Sequence, residues 1–201
     1  MSESAGSNLK GLTQSADKIK FDSLPAASVV ALDILGQGAT AELSRVSSDL
    51  QTTPPPIAIF VANPSDLLMF RAGSDPSSIL HGTEIIYPLF DESQQLRASV
   101  IMYKSGSSWK RGISGGTGLL GEFVKQIVES ALISNVSYTR YFAVQIPTIS
   151  QYYVAYEDEE TLWMIPIQSD ARYNIEMGQL YNGPSLLARL GLEIGKKPAM
   201  L

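Results

Sequence analysis

The sequence predicts an α+β fold, in which an antiparallel sheet of about six to seven strands, arranged as two meanders, packs on one long central helix behind short N-terminal helices. The helix is predicted because apolar residues over 120–132 repeat at the three-and-four spacing of one helical face. The strands are predicted because the flanking stretches alternate apolar and polar residues, with turns too short for parallel crossovers. The predicted organisation is a mobile tail over 1–20, one domain over 21–195 and a frayed end over 196–201.

The N-terminal fifth of the chain carries the least regular pattern. Residues 1–20 show no apolar periodicity, so deleting residues 1–15 is expected to leave stability nearly unchanged. A short helix that ends at Leu35 is predicted after the capping residue Ser23, with a strand as the alternative. Apolar residues at helical spacing predict a second helix over Ala39–Leu50, which ends before a run of three prolines.

The remaining elements follow from short apolar runs separated by turn residues. An irregular segment with one helical turn is predicted between the first strand and His81. A short C-terminal helix is predicted over Pro184–Leu190. The predicted strands are Ile57–Ala62, then Glu84–Phe90, Leu96–Lys104 and Ser108–Ile113 before the central helix, and Tyr141–Pro147, Gln151–Glu157 and Leu162–Gln168 after it.

Composition excludes several classes of function. The chain has no cysteine and one histidine, so disulfides, zinc ribbons, iron–sulfur clusters and histidine-rich metal sites are excluded, and no cofactor is predicted. The net charge of −5 and the scattered basic residues argue against nucleic-acid binding. No apolar run is long enough for a membrane span. The polar start and the 17% charged content favour a bacterial periplasmic or secreted protein whose export signal has been removed, with a cytoplasmic location as the alternative.

A glycine-rich loop ahead of the central helix is a candidate anion site. Ser114, Gly116, Thr117 and Gly118 offer backbone N–H groups and hydroxyls at a helix N-terminus. The lysine of a phosphate-binding loop is replaced by Glu122, which favours a structural loop whose glycines permit close packing.

Two further clusters of polar residues are candidate sites. His81 lies near Asp75, Ser77 and Glu84 along the chain, but no nucleophile-elbow motif supports a hydrolase, and no catalytic residue is predicted. The acidic turn over 157–160 lacks the alternating ligands of a calcium loop, so a solvated hairpin tip is predicted and no metal ligand is assigned.

Aromatic residues on the second meander are the main candidate binding surface. Because strand neighbours alternate faces, Tyr141, Tyr153 and Trp163 are expected to line the sheet face opposite the central helix and to bind a ligand or partner there. The alternative is that the N-terminal helices cover this face and bury the aromatics.

Three functional hypotheses follow. The leading one is a non-enzymatic, extracytoplasmic interaction or assembly module with a protein partner. The alternative is a sensor-like domain that binds a small molecule in a pocket between the central helix and the sheet. An enzyme ranks third, because no coherent catalytic set is present.

Overall fold

The computed structural model describes residues 11–35, 55–90, 96–112, 117–158 and 161–196, so the predicted helix Ala39–Leu50 lies outside the described residues. Within these ranges, four helices and one eight-stranded sheet form the regular structure, which confirms the α+β class. The helices are α1 (Gly11–Leu35), α2 (Pro64–Met69), α3 (Thr117–Ser134) and α4 (Gly183–Lys196). The strands are β1 (Ile57–Ala62), β2 (Leu80–Phe90), β3 (Leu96–Ser105), β4 (Ser108–Arg111), β5 (Phe142–Ile146), β6 (Gln151–Asp158), β7 (Thr161–Pro166) and β8 (Tyr181–Asn182).

The sheet is mixed, which corrects the prediction of an antiparallel sheet of six to seven strands. Its order is β4-β3-β2-β1-β5-β6-β7-β8, and every neighbouring pair is antiparallel except the central pair β1 and β5. The chain reaches β5 from β1 only after it has formed α2, β2, β3, β4 and α3. Short turns between the meander strands therefore carry no information about this parallel pair.

The two halves of the sheet repeat one plan. Each half is a long helix followed by four strands that pair in chain order, α1 with β1 to β4 and α3 with β5 to β8. Because β1 and β5 run in the same direction, a twofold axis along them would exchange both the halves and the faces of the sheet. In agreement with this relation, α1 packs on one face and α3 on the other. The sheet is thus covered on both sides, whereas the prediction placed one central helix against it.

Burial follows the predicted alternation. Phe142, Val144 and Ile146 share the α1 face, while Ala143 between them points to the α3 face. The predicted inner side of the central helix is confirmed in part. On α3 the buried residues are Leu120, Phe123, Ile127 and Ala131, whereas Val128 and Leu132, which the same spacing placed on that side, are exposed.

The predicted mobile tail is wrong for residues 11–20, which form the first turns of α1. Leu12 and Ala16 are each only 2% exposed and belong to the core on the α1 face of the sheet. The buried carboxylate of Glu157 on β6 accepts hydrogen bonds from the backbone N–H groups of Leu12 (3.3 Å) and Thr13 (2.8 Å). These are the free donors of a helix N-terminus, so a strand 144 residues away caps α1.

The C-terminal helix α4 is longer than predicted and lies on the α1 face, where Leu186, Leu187 and Leu190 are buried as expected. The predicted frayed end beyond Lys196 lies outside the described residues. In the described ranges, no helix combines the length and the apolar character needed to cross a bilayer. The location outside the cytoplasm stays a prediction.

Candidate functional site

The most promising place for a site is the edge of the sheet where β1 and β5 end side by side. After β1 the chain passes through α2 to β2 on one side, and after β5 it passes through the 3₁₀ turn Pro147–Ile149 to β6 on the other. In open α/β sheets, ligands bind outside the carboxyl ends of neighbouring parallel strands whose connections leave in opposite directions. This sheet has the same local arrangement.

Polar side chains converge on the α3 face at this edge. Val61 on β1 pairs with His81 on β2 and with Gln145 on β5, and Gln145 pairs in turn with Tyr152 on β6. Cross-strand partners point to the same face, which is the α3 face because Val61 packs against the α3 core.

A β-bulge brings a fourth polar side chain to the group. The register of β1 and β2 shifts between Ile59 and Phe60, so Glu84 opposite Ile59 and His81 opposite Val61 face the same side although they are three residues apart. The term "polar strip" refers below to His81, Glu84, Gln145 and Tyr152.

Glu84 is half-buried, and this burial raises the pKa of its carboxyl group. Among the described residues, no hydrogen-bond donor or cation offsets the cost of its burial. A carboxylate partly removed from water without a partner is unfavourable in the folded protein. In the strip, the carboxylate of Glu84 is therefore the group that a bound hydrogen-bond donor or cation would stabilise most.

Gln145 and Tyr152 lie on β5 and β6, two and three strands from Glu84, and are held in place by each other and by α3. The side-chain amide of Gln145 donates to the phenol oxygen of Tyr152 at 2.8 Å. The ring of Tyr152 meets Phe123 of α3 edge to face, with centroids 5.9 Å apart. Burial, followed by the negative charge of Glu84, raises the pKa of Tyr152, so the phenol stays protonated near neutral pH. Because the phenol oxygen accepts from Gln145, its hydrogen can donate to another group.

His81 closes the exposed end of the strip. Its Nε2 lies 3.2 Å from a carboxylate oxygen of Asp66, and this hydrogen bond is the main reason why the pKa of Asp66 lies below its usual value. The serine that a triad needs is not in place, because Ser77 instead donates to Asp75 at 2.7 Å in a turn. Among the described residues, His81 therefore has the carboxylate partner of a catalytic triad, Asp66, but no serine nucleophile.

The three predicted aromatic residues do not share a surface, so the expected placement opposite the central helix is wrong for Tyr141 and Trp163 and holds for Tyr153 alone. Tyr141 and Trp163 lie on the α3 face itself, and Tyr153 lies on the α1 face. Tyr141 is only 1% exposed, and its hydroxyl bonds to Ser134 and Ser130 of α3. Tyr153 is fully buried, and its hydroxyl finds no hydrogen-bond partner within the described part of the chain. A binding role for these residues stays a prediction.

The candidate anion loop is described only in part. Ser114 and Gly116 lie outside the described residues, Thr117 begins α3, and Gly118 lies in its first turn. A Cβ added at Gly118 would meet nothing within 4 Å, so the expected close packing is absent there. Anion binding by this loop stays a prediction.

None of the four residues of the strip is a predicted site residue, because His81 and Glu84 were considered only for a hydrolase and Gln145 and Tyr152 were assigned no role. Gln145 is the one polar residue within the strand sequence of β5, and that interruption was the available signal.

Within the described ranges, no group of three or more potential ligand side chains is placed to hold a metal ion. No family model, curated protein or solved structure matches the chain.

Proposed function

We propose that this chain is a small-molecule-binding domain whose site is the polar strip at the carboxyl ends of β1 and β5. The observation that carries the proposal is the half-buried carboxylate of Glu84, which has no donor or cation among the described residues. A bound ligand would supply that partner. This function corresponds to the sensor-like alternative of the sequence analysis, with the site on the side of the sheet that faces the central helix.

The other groups of the strip have complementary bonding capacity. The phenol of Tyr152 can donate, and the side-chain carbonyl of Gln145 can accept while its amide group holds the phenol. The half-buried ring of Tyr152, which packs edge to face on the buried Phe123, adds apolar surface. A few fixed polar groups beside aromatic surface is the usual composition of a small-molecule site.

A fragment screen by saturation-transfer NMR tests this function. Fragments should bind the wild-type protein and lose most of their signal with Tyr152→Phe, which removes the hydroxyl and keeps the ring. Tyr138→Phe is the matched control, because Tyr138 packs on the same sheet face beyond the opposite end of α3. Equal binding to wild type, Tyr152→Phe and Tyr138→Phe, or no binding to any of them, would contradict the proposal.

An interaction module remains the second candidate because α3 carries an exposed apolar ridge. Val128, Leu132 and Ile133 are 41%, 77% and 89% exposed. Apolar side chains grouped on one helix are a common feature of protein interfaces. If a second copy covers the ridge, sedimentation should show mass that rises with concentration and that falls to the monomer value in a Leu132→Gln, Ile133→Gln double variant. A constant monomer mass would exclude self-association through this ridge.

A further inference from the structure

The charges around the polar strip are unbalanced. Glu84 and Asp66 contribute two carboxylates, and the hydrogen bond of Asp66 is already made with His81. Along the sheet, Glu84 pairs with Tyr103, and Tyr103 pairs with Lys110 on the edge strand β4. Strands lie roughly 4.8 Å apart, so the backbone of this lysine is about 10 Å from that of Glu84. On α3, Lys125 lies on the exposed side of the helix.

From this arrangement, and resting on the proposed function, we infer that the ligand of the polar strip is a small organic amine whose ammonium group pairs with Glu84. The ammonium group supplies both the charge and the hydrogen-bond donors that the carboxylate lacks. A charge-assisted hydrogen bond at a partly desolvated site is stronger than one in open water.

The surroundings also indicate what the amine is attached to. The half-buried ring of Tyr152 is close enough to Glu84 for the carboxylate charge to raise the pKa of its phenol, and Val61 lies between His81 and Gln145 in the same row. Aromatic rings attract cations at their faces and bury apolar groups. An arylalkylamine carries an apolar ring and a cationic group in one small molecule, which matches these two features.

A protonated Glu84 would prefer a ligand of the opposite charge. Since burial raises the pKa of Glu84, a protonated carboxyl group could donate a hydrogen bond to a ligand carboxylate or carbonyl. In that case a carboxylate ligand would bind better than an amine. The sign of the ligand charge therefore separates the two chemistries.

Calorimetric titration at pH 7 with phenethylamine, 2-phenylethanol and 3-phenylpropanoate provides the test, because the three probes share a ring and a two-carbon spacer. The amine should bind at least roughly tenfold more tightly than the alcohol, the difference expected for one charge-assisted hydrogen bond. Glu84→Gln should weaken amine binding by a similar factor and leave alcohol binding unchanged. Glu129→Gln on the exposed side of α3 removes the same charge elsewhere and should leave both affinities unchanged.

Equal or tighter binding of the alcohol or the carboxylate would overturn the inference, and so would amine binding that survives Glu84→Gln. The probe series on the wild-type protein decides the matter even if Glu84→Gln does not fold. If the amine fails to bind while another fragment binds in a Tyr152-dependent manner, the ligand class is wrong and the proposed site stands. If no fragment depends on Tyr152 either, the proposed function falls as well.

Discussion

Two helical glycines should respond in opposite directions to the same substitution. Gly191 on α4 is buried where the helix crosses α2, and a Cβ added there would lie 2.2 Å from the carbonyl oxygen of Leu67. A Cβ added at Gly121 on α3 would meet nothing within 4 Å. Replacing a helical glycine by alanine favours the helix by up to about 1 kcal/mol at either position. Only the contact with Leu67 differs between them.

The size of the effect follows from the distances. An ordinary contact between these atoms needs a separation of at least about 3.2 Å, so Gly191→Ala requires α4 and α2 to move apart by roughly 1 Å. Leu67 is fully buried and its backbone oxygen cannot swing away. Overpacking of this kind costs roughly 1–3 kcal/mol. After the helix-propensity gain, Gly191→Ala should destabilise by about 1–2 kcal/mol, whereas Gly121→Ala should stabilise by roughly 0.5–1 kcal/mol.

Urea unfolding followed by circular dichroism measures both variants against the wild type. The two midpoints should lie on opposite sides of the wild-type midpoint, with similar slopes. If Gly191→Ala were as stable as Gly121→Ala, the close approach of α4 to α2 would be refuted.

Three further predictions concern the core on the α1 face. A chain that starts at Ala16 lacks Leu12 and the backbone donors to the buried carboxylate of Glu157, so it should lose at least roughly 3 kcal/mol of unfolding free energy in urea; an unchanged value would mean that α1 does not dock. Tyr153→Phe removes a buried hydroxyl without a partner in the described residues and should leave stability unchanged or raise it. Tyr87→Phe removes a hydroxyl that donates to an α1 carbonyl at 2.9 Å and should cost about 1 kcal/mol. If this assignment is wrong, thermal melts would show Tyr153→Phe to be less stable than Tyr87→Phe. Burial raises the pKa of Tyr87 to about 12, so the folded state holds this proton more tightly than the unfolded state. The free energy of unfolding should therefore fall by up to about 1.4 kcal/mol per pH unit between about pH 10 and 12. The fall should be shallower in Tyr87→Phe, and an equal slope in that variant would count against the raised pKa.

The predictable parts of the fold are those set by local periodicity. The inner side of α3 and the alternation along β5 follow directly from residue spacing, and Phe123 and Val144 are buried as expected. The first turns of α1 also carry a helical stripe, since Leu12, Ala16 and Ile19 are four and three residues apart. The helical periodicity of this stripe is weak in the sequence, because Ala16 is small and many polar residues lie between the apolar positions.

The parts that could not be predicted depend on contacts far apart in the sequence. The parallel pair joins Phe60 to Val144, and no local pattern links two strands that are separated by three other strands and two helices. The polar strip depends on that pair, and also on the bulge that turns His81 and Glu84 to the same face. Strict alternation would have placed these two side chains on opposite faces.

Chemical-shift mapping tests the central claim most directly, because it locates the bound ligand without a mutation. In a titration of the ¹⁵N-labelled protein with phenethylamine, the backbone amides that move should cluster at Val61, Glu84, Gln145 and Tyr152, where β1 and β5 end. Shifts confined to the exposed ridge at Leu132 and Ile133, or saturating shifts that leave all four of these amides unchanged, would contradict a binding site in the polar strip.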